Sequence, residues 1–276
     1  MHLCSIGARE NFSNVNGVTL GIIMSTKQTI TLALAILTCI PFTKAHAEQW
    51  DGLFLGINAG VAQSNAKYQT GPDNRSWFLT MGETGGMWNR GNRDKSRFSP
   101  IGGLSVAYNS QVDFFVFGAE LGLNALNSKL DHTGTYSFLS SNRNYTYLQK
   151  TNVEGLYTLR GRAGYAFDDS LLSATAGIAA TLLKTGLAYS DNYTGASQYT
   201  AARSETNPRV GWTVGLAYQH MMPDNIVFKA EFTYVDLGKT DFTTPVKSGG
   251  GTVISRMNFS SQVHLNIFTI GIEKKF

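Results

Sequence analysis

The chain has 276 residues, of which 42% are hydrophobic, 12% aromatic and only 15% charged, with 29 glycines, 6 prolines and a formal net charge of +4. The charge fraction lies well below the roughly 25% of ordinary soluble domains, and disordered chains are charge-rich and poor in aromatics, so disorder is excluded. No run of about 20 apolar residues occurs, which excludes a helical membrane protein. A weak net positive charge gives no reason to expect a nucleic-acid partner. What remains is a β-rich chain whose apolar residues are spread out.

The amino end reads as a processed leader. Lys27 is followed by the apolar run Ile30 to Phe42, and Ala45-His46-Ala47 offers small residues at the positions a signal peptidase reads. Residues 1–23 then form an upstream extension, 24–47 a cleavable signal peptide with Met24 as its start, and 48–276 the mature domain. Thr38 before Cys39 is a poor match to a lipoprotein box. Cys4 and Cys39 both precede the cut, so the expected exported chain has no disulfide and no thiolate for catalysis or zinc.

Period-two alternation predicts eight strands, at 50–63, 98–108, 112–126, 151–167, 170–185, 207–220, 226–239 and 257–276. In the first, Leu53, Leu55, Ile57 and Val61 alternate with Phe54, Gly56, Asn58 and Gly60. In the sixth, Trp212, Val214, Leu216 and Tyr218 alternate with Thr213, Gly215 and Ala217. The second face of most strands is Gly, Ala, Ser and Thr with a few charges. That is too little charge to coat a soluble surface. Bulky residues facing lipid around a narrow, small and polar lumen fit instead.

Connection lengths give an independent argument. Asn109-Ser110-Gln111, Asp168-Asp169 and Met222-Pro223-Asp224-Asn225 are short turns. The stretches 64–97, 127–150, 186–206 and 240–256 are long and polar. Short and long links alternate, as in an outer-membrane barrel with short periplasmic turns and longer external loops. Both termini then lie in the periplasm. Hydrocarbon cannot satisfy a free strand edge, so the sheet must close. The expectation is an all-β, eight-stranded antiparallel up-and-down transmembrane β-barrel of a Gram-negative outer membrane. Trp50, Tyr165, Phe167 and Tyr218 fall near strand ends, where aromatic belts belong.

Several blocks carry a resemblance. Trp50-Asp51-Gly52-Leu53-Phe54-Leu55-Gly56-Ile57-Asn58-Ala59-Gly60 resembles the opening strand of the small alphaproteobacterial outer-membrane surface antigens. Gly102-Gly103, Tyr108-Asn109-Ser110-Gln111 and Gly118-Ala119-Glu120 resemble their second and third strands. Leu159-Arg160-Gly161-Arg162-Ala163-Gly164-Tyr165 resembles the fourth, Glu231-Phe232-Thr233-Tyr234-Val235-Asp236-Leu237-Gly238 the seventh, and Thr269 to Phe276 the end. Lys274 departs from the pattern, on a parity where the family carries an aromatic. A lysine near the interface can snorkel. The resemblance implies an eight-stranded outer-membrane barrel and relatives that are porin-like, hemin-binding or major surface antigens. It also implies that the barrel-assembly machinery reads the terminal Phe276.

Strand parity places Glu120, Arg160, Arg162, Lys229 and Glu231 in the lumen, with Glu154 and Glu273 also pointing in. A charge on the lipid face at mid-depth costs about 2–4 kcal/mol for Arg or Lys, which enforces that parity. In so narrow a space these charges must pair, and they are expected to form one network. Read structurally, it is a packed polar core that plugs the barrel. Read functionally, it is a gated ion path. An enzyme built on the same acids is the third reading, with no catalytic residue to name: no Ser/His/Asp constellation appears. His132, His220 and His264 show no metal-ligand spacing, so no metal site is expected.

The first long connection holds Arg75, Trp77, Trp88, Arg90, Arg93, Lys95 and Arg97 against Asp73, Glu83 and Asp94. Basic and aromatic residues together suit an anionic planar ligand or the phosphates of lipopolysaccharide; the plainer reading is a solvated loop with interfacial anchors. The second holds His132, Tyr136, Tyr145 and Tyr147. His and Tyr are both haem ligands, so these are the candidates for hemin; the plainer reading is hairpin surface. No resident cofactor is expected. Gly249-Gly250-Gly251 reads as a flexible tip, not a phosphate cradle. The function expected is a non-enzymatic integral barrel with an envelope-structural and surface-contact role. Its partners are membrane lipid, lipopolysaccharide, the assembly machinery and host surfaces. Hemin binding and narrow-conductance porin activity are the alternatives.

Overall fold

A computed structural model describes residues 49–73, 81–139, 143–192 and 198–276. The upstream extension and the signal peptide lie outside the described residues. Eight strands follow one another: β1 (Gly52–Pro72), β2 (Arg93–Val112), β3 (Phe115–Ser137), β4 (Asn144–Phe167), β5 (Ser170–Asp191), β6 (Tyr199–Met222), β7 (Ile226–Ser248) and β8 (Val253–Lys275). Each pairs antiparallel with the next, and β1 closes on β8 from Phe54↔Lys275 to Pro72↔Met257. The eight-stranded up-and-down barrel is therefore present. One helix, α1 (Met81–Gly91), lies between β1 and β2. Glu83 in its first turn and Arg90 in its last complement the helix dipole.

The strands run 20 to 24 residues, whereas about 9–11 suffice to cross a bilayer. The excess is all at one end. On β1 the outward side chains change from Leu53, Leu55, Ile57 and Val61 to Gln63, Asn65, Lys67 and Gln69. On β8 they change from Ile272, Ile270 and Phe268 to Asn266, His264 and Gln262. The interior changes in the opposite sense. At the level of the outer apolar band it is an apolar floor at the turn end and, above that, mostly small, polar and charged. Beyond that band it is an apolar core that includes Tyr68, Leu130, Tyr147, Leu187, Phe259 and Val263. Inside-out amphipathicity suits lipid outside, and ordinary amphipathicity suits water outside.

This inversion corrects the expected loops. Both ends of 64–97 and most of 127–150, 186–206 and 240–256 are strand, and the true links on that end are 73–92, 138–143, 192–198 and 249–252. A polar outer face without lipid-facing bulk reads as loop when only one sense of alternation is sought. Gly249-Gly250-Gly251 does form the β7–β8 tip. At the opposite end the first turn is Asp113-Phe114, and Asn109, Ser110 and Gln111 belong to β2. Asp113 takes the left-handed conformation (φ 54°), as do Asp168 (φ 48°) and Asp224 (φ 63°) at the other two turns. Asp tolerates it through local hydrogen bonding.

Two ladders are incomplete. β2 pairs with β3 only between Ile101↔Leu126 and Val112↔Phe115, so Arg93–Pro100 have no β3 partner. β6 and β7 share no pair between Thr200↔Lys247 and Trp212↔Asp236. Pro100 stands at the first interruption and Pro208 within the second, and proline has no N–H to give a ladder.

Trp50 departs from expectation as well. It is not in the outer belt but fully buried, stacked on Phe54 with centroids 6.3 Å apart. With Ala107, Val116, Ala166, Leu171, Met221 and Val227 it forms an apolar floor at the turn end. Its backbone N–H donates to Gln111 Oε1 at 2.8 Å. Tyr165, Phe167 and Tyr218 do face outward at that rim, where the belt was expected.

Candidate functional site: a charged lumen layer and an aromatic mouth

Above the apolar floor lies the charged layer. Glu120 on β3 and Arg160 on β4 are direct ladder partners. Arg160 donates to Glu120 and, across the lumen, to Glu231 on β7; Arg162 donates to Glu120. Lys229 Nζ lies 2.7 Å from Glu120, 3.1 Å from Glu231 and 3.3 Å from Glu273. All six side chains are buried. Three carboxylates therefore face three cations, and the layer is neutral. Arg160 also contacts Thr233 Oγ1 at 3.2 Å and Thr175 Oγ1 at 3.4 Å.

The five expected network members are brought together. Glu273 completes the set, and Gln219 ties it in, donating to Glu273 at 2.6 Å and accepting from Arg162 at 3.2 Å. Sequence reasoning left Gln219 out, although it shares the inward parity of Thr213 and Ala217. Glu154 does not join. A β-bulge at Gly155 (φ +69°) adds one residue to β4 against β5. Below it Leu156, Thr158 and Arg160 point in; above it Val153, Thr151 and Gln149 do. Glu154 is thereby turned to the outer side, where it pairs with Lys184 at 2.8 Å. Gly238 (φ +70°) makes the same change of parity on β7. A left-handed glycine is the usual first residue of such a bulge.

A cavity of about 40 Å³ adjoins the charged layer, lined among others by Asn58, Glu120, Arg160, Lys229 and Glu273. It has room for a water or two and no more. The apolar core of the extended half closes the lumen above it. Met87 of α1 is buried in that core.

At the mouth, the hemin candidates lie on paired strands rather than in a loop. Tyr136 is the ladder partner of Tyr145, and His132 that of Gln149. Tyr145 and Tyr147 point inward, 1% exposed, with rings 5.3 Å apart. Tyr189, which sequence reasoning missed, packs 5.8 Å from Tyr147. Tyr136 lies 5.8 Å from Tyr145, and its Oη is 3.4 Å from His132 Nε2. The Arg90 and Arg93 guanidinium groups stand 5.9 and 5.6 Å from the Tyr136 ring centre. Burial pushes the Tyr147 and Tyr189 phenols above their ordinary range. Burial foremost, then Lys95 and Arg93, holds the His132 imidazolium down.

Of the other basic and aromatic candidates, Arg75 and Trp77 lie outside the described residues. Trp88 and Arg90 are on α1, and Arg93, Lys95 and Arg97 are on β2. Glu83, in the first turn of α1, is buried. Among the described residues no group of three or more His, Cys, Asp or Glu could hold a metal ion. Phe276 is exposed on the outer rim of the turn end, its N–H donating to Leu53 O at 2.8 Å. Lys274 reaches down to the Asp224 carbonyl in the β6–β7 turn, which is how a lysine escapes the apolar band.

The chain is 25% identical over 231 residues to the 31 kDa outer-membrane immunogenic protein of Brucella melitensis, covering 82% of this chain and 84% of that one. It is 26% identical over 174 residues to the 25 kDa outer-membrane immunogenic protein of the same organism, covering 63% and 64%. Among solved structures, the outer membrane protein OprG of Pseudomonas aeruginosa aligns over 82% of this chain and 96% of its own, with 14% identity and a TM-score of 0.42. Residues 30–276 match the family described as outer membrane protein beta-barrel domain, and the chain belongs to that family of Gram-negative outer-membrane barrels.

Proposed function

We propose that the protein is a non-enzymatic barrel serving envelope structure and surface contact. Its turn end and both termini lie in the periplasm, and its extended half is displayed outside. Closure is the observation that carries this reading. Apolar floor, neutral charged layer and apolar upper core follow one another along the lumen, leaving a cavity of about 40 Å³ beside the charged layer. Conduction would require buried ion pairs to part, and an eight-stranded ring has room for little more than side chains. Purified protein in planar bilayers is therefore expected to give no discrete conductance steps; reproducible steps would refute closure. Protease added to intact cells is expected to cut at the 249–252 tip and to spare Asp168-Asp169. A cut at Asp168-Asp169 would invert the orientation. Phe276 at the outer rim suits recognition by the assembly machinery.

A second reading, hemin binding, is favoured by one specific observation: the mouth gathers His132 and Tyr136 beside Arg90 and Arg93. A planar dianion would find an imidazole, a phenol and two guanidinium groups there. A His132 held neutral is ready to ligate. Tyr145 and Tyr147 are wedged among other rings, so His132 and Tyr136 are the accessible donors. Hemin titration of the refolded protein, followed by its absorption spectrum, is expected to weaken in His132→Ala and Tyr136→Ala but not in Tyr145→Phe. Equal spectra for all four proteins would remove this site.

A further inference from the structure

The charged layer leaves a set of polar atoms unused. Around the cavity of about 40 Å³ beside it, four have no hydrogen-bond partner in the protein: Asn58 Oδ1 on β1, Thr158 Oγ1 and Arg160 Nε on β4, and Glu273 Oε1 on β8. Thr158, Arg160 and Glu273 are buried. The rest of each charged group is engaged. The Arg160 terminal nitrogens donate to Glu120 and Glu231, and Glu273 Oε2 accepts from Gln219 at 2.6 Å. Glu273 Oε1 meets Lys229 as an ion pair at 3.3 Å but receives no hydrogen bond. Buried polar atoms are nearly always paired, with protein or with ordered water, because an unmade bond there costs the full desolvation of the group.

The chemistry of the four atoms narrows what can pair them. Arg160 Nε–H and the Thr158 hydroxyl donate; Asn58 Oδ1 and Glu273 Oε1 accept. A water molecule has the complementary set, two lone pairs and two hydrogens. A metal cation would be opposed by the guanidinium N–H, and an anion by the carboxylate. The layer's three carboxylates and three cations already cancel, so either ion would add an unmatched buried charge. The volume fits as well, since a buried water needs at least about 10–15 Å³. Glycine keeps the space open. A Cβ at Gly122, which lines the cavity, would stand 2.6 Å from Thr158 Oγ1. Asn58 is the ladder partner of Gly271, where β1 closes on β8. β1 gives the layer no charged side chain, so a bridge from Asn58 joins the closing strand to it.

We propose that one or two ordered waters occupy this cavity, accepting from Arg160 Nε and Thr158 Oγ1 and donating to Asn58 Oδ1 and Glu273 Oε1, and so complete the charged layer. This site exists whichever end of the barrel faces outward. Protein refolded in detergent is crystallised, and separate crystals are soaked in rubidium and in bromide. A density peak within hydrogen-bond reach of the four atoms, with no anomalous signal from either ion, is expected. A rubidium or bromide peak there overturns water as the occupant, and a cavity without density overturns the site. In solution, oxygen-17 relaxation dispersion of the solvent counts long-lived internal waters. Asn58→Leu/Thr158→Val removes one acceptor and one donor at similar volume, and is expected to lose the amplitude of at least one water relative to the parent. The control Thr135→Val, at an exposed threonine outside the cavity, is expected to keep it. Should the double variant fail to show the mobility of a folded barrel on unheated gels, Asn58→Leu alone is measured, with the same loss expected. An unchanged amplitude in the folded variant overturns the proposal.

Discussion

Replacing Arg160 by methionine keeps a side chain of similar length and leaves three buried carboxylates facing two cations. Arg160 holds Glu120 and Glu231 together. Without it Glu120 still has Arg162 and Lys229, but Glu231 is left with Lys229 alone at 3.1 Å, and that ammonium is shared with Glu120 and Glu273. Two charge-assisted hydrogen bonds are lost, each worth about 1.5–3 kcal/mol, and one buried charge loses its match. Breaking a buried pair in this way costs about 3–5 kcal/mol. Glu231→Gln alone errs in the other direction and leaves an excess cation. The double variant Arg160→Met/Glu231→Gln restores neutrality, so its cost is expected to fall short of the summed single costs by about 2 kcal/mol. Urea unfolding of the barrel in lipid vesicles, followed by tryptophan fluorescence, measures all three. An Arg160→Met midpoint equal to the parent's, or strictly additive single effects, would refute the charge-balance reasoning.

Other predictions probe different layers. Gly238→Ala puts a side chain where φ is +70° but nothing lies within 4 Å, so its cost is backbone strain alone, about 1–2 kcal/mol in the same unfolding assay. Deleting Gly238 removes the bulge and turns Phe242, Thr244 and Val246 outward; this variant is expected not to refold, and a folded barrel would show that the parity change is dispensable. The buried Tyr147 and Tyr189 phenols are held neutral in the fold, whereas unfolded tyrosine ionises near about pH 10. Their contribution to stability is complete below that pH and falls as pH rises above it, because the unfolded chain then releases protons that the fold retains. A phenolate absorbance titration of the folded protein is expected to leave these tyrosines protonated until the barrel opens; early titration of every tyrosine would contradict their burial. Phe276→Ala is expected to lower the yield of assembled barrel in cells while leaving refolding in detergent intact, read from mobility on unheated gels. Unchanged yield would remove Phe276 as an assembly signal.

Much was legible in the sequence because lipid imposes a one-dimensional code. A strand crossing hydrocarbon must put apolar bulk on one parity and keep charges on the other, so Leu159, Ala163 and Tyr165 fix the direction of Arg160 and Arg162 without any structure. That logic located eight strands, the lumen charges and the alternation of link lengths. It failed wherever the code changed. Past Val61 on β1 and before Phe268 on β8 the outside is no longer lipid, the amphipathic sense reverses, and strand read as loop. The left-handed glycines Gly155 and Gly238 insert one residue each and exchange the two faces; a glycine in a strand gives no sequence sign of its φ, and Glu154 was misplaced for that reason.

The chain alone thus determined the sheet class, the closure and which charges are enclosed at the level of the apolar band, since these follow from the cost of exposing peptide groups and ions to hydrocarbon; beyond the bulge at Gly155 it did not, and Glu154 lies outside. Only the tertiary structure decided the partners. Glu120 meets Lys229, and Arg160 meets Glu231, because the ring is narrow enough for side chains to span it. Likewise only folding brought Tyr136, Tyr145, Tyr147 and Tyr189 to one mouth. It also left the β2 cations beside an open ladder, because the pairing of two strands over their whole length depends on both neighbours at once.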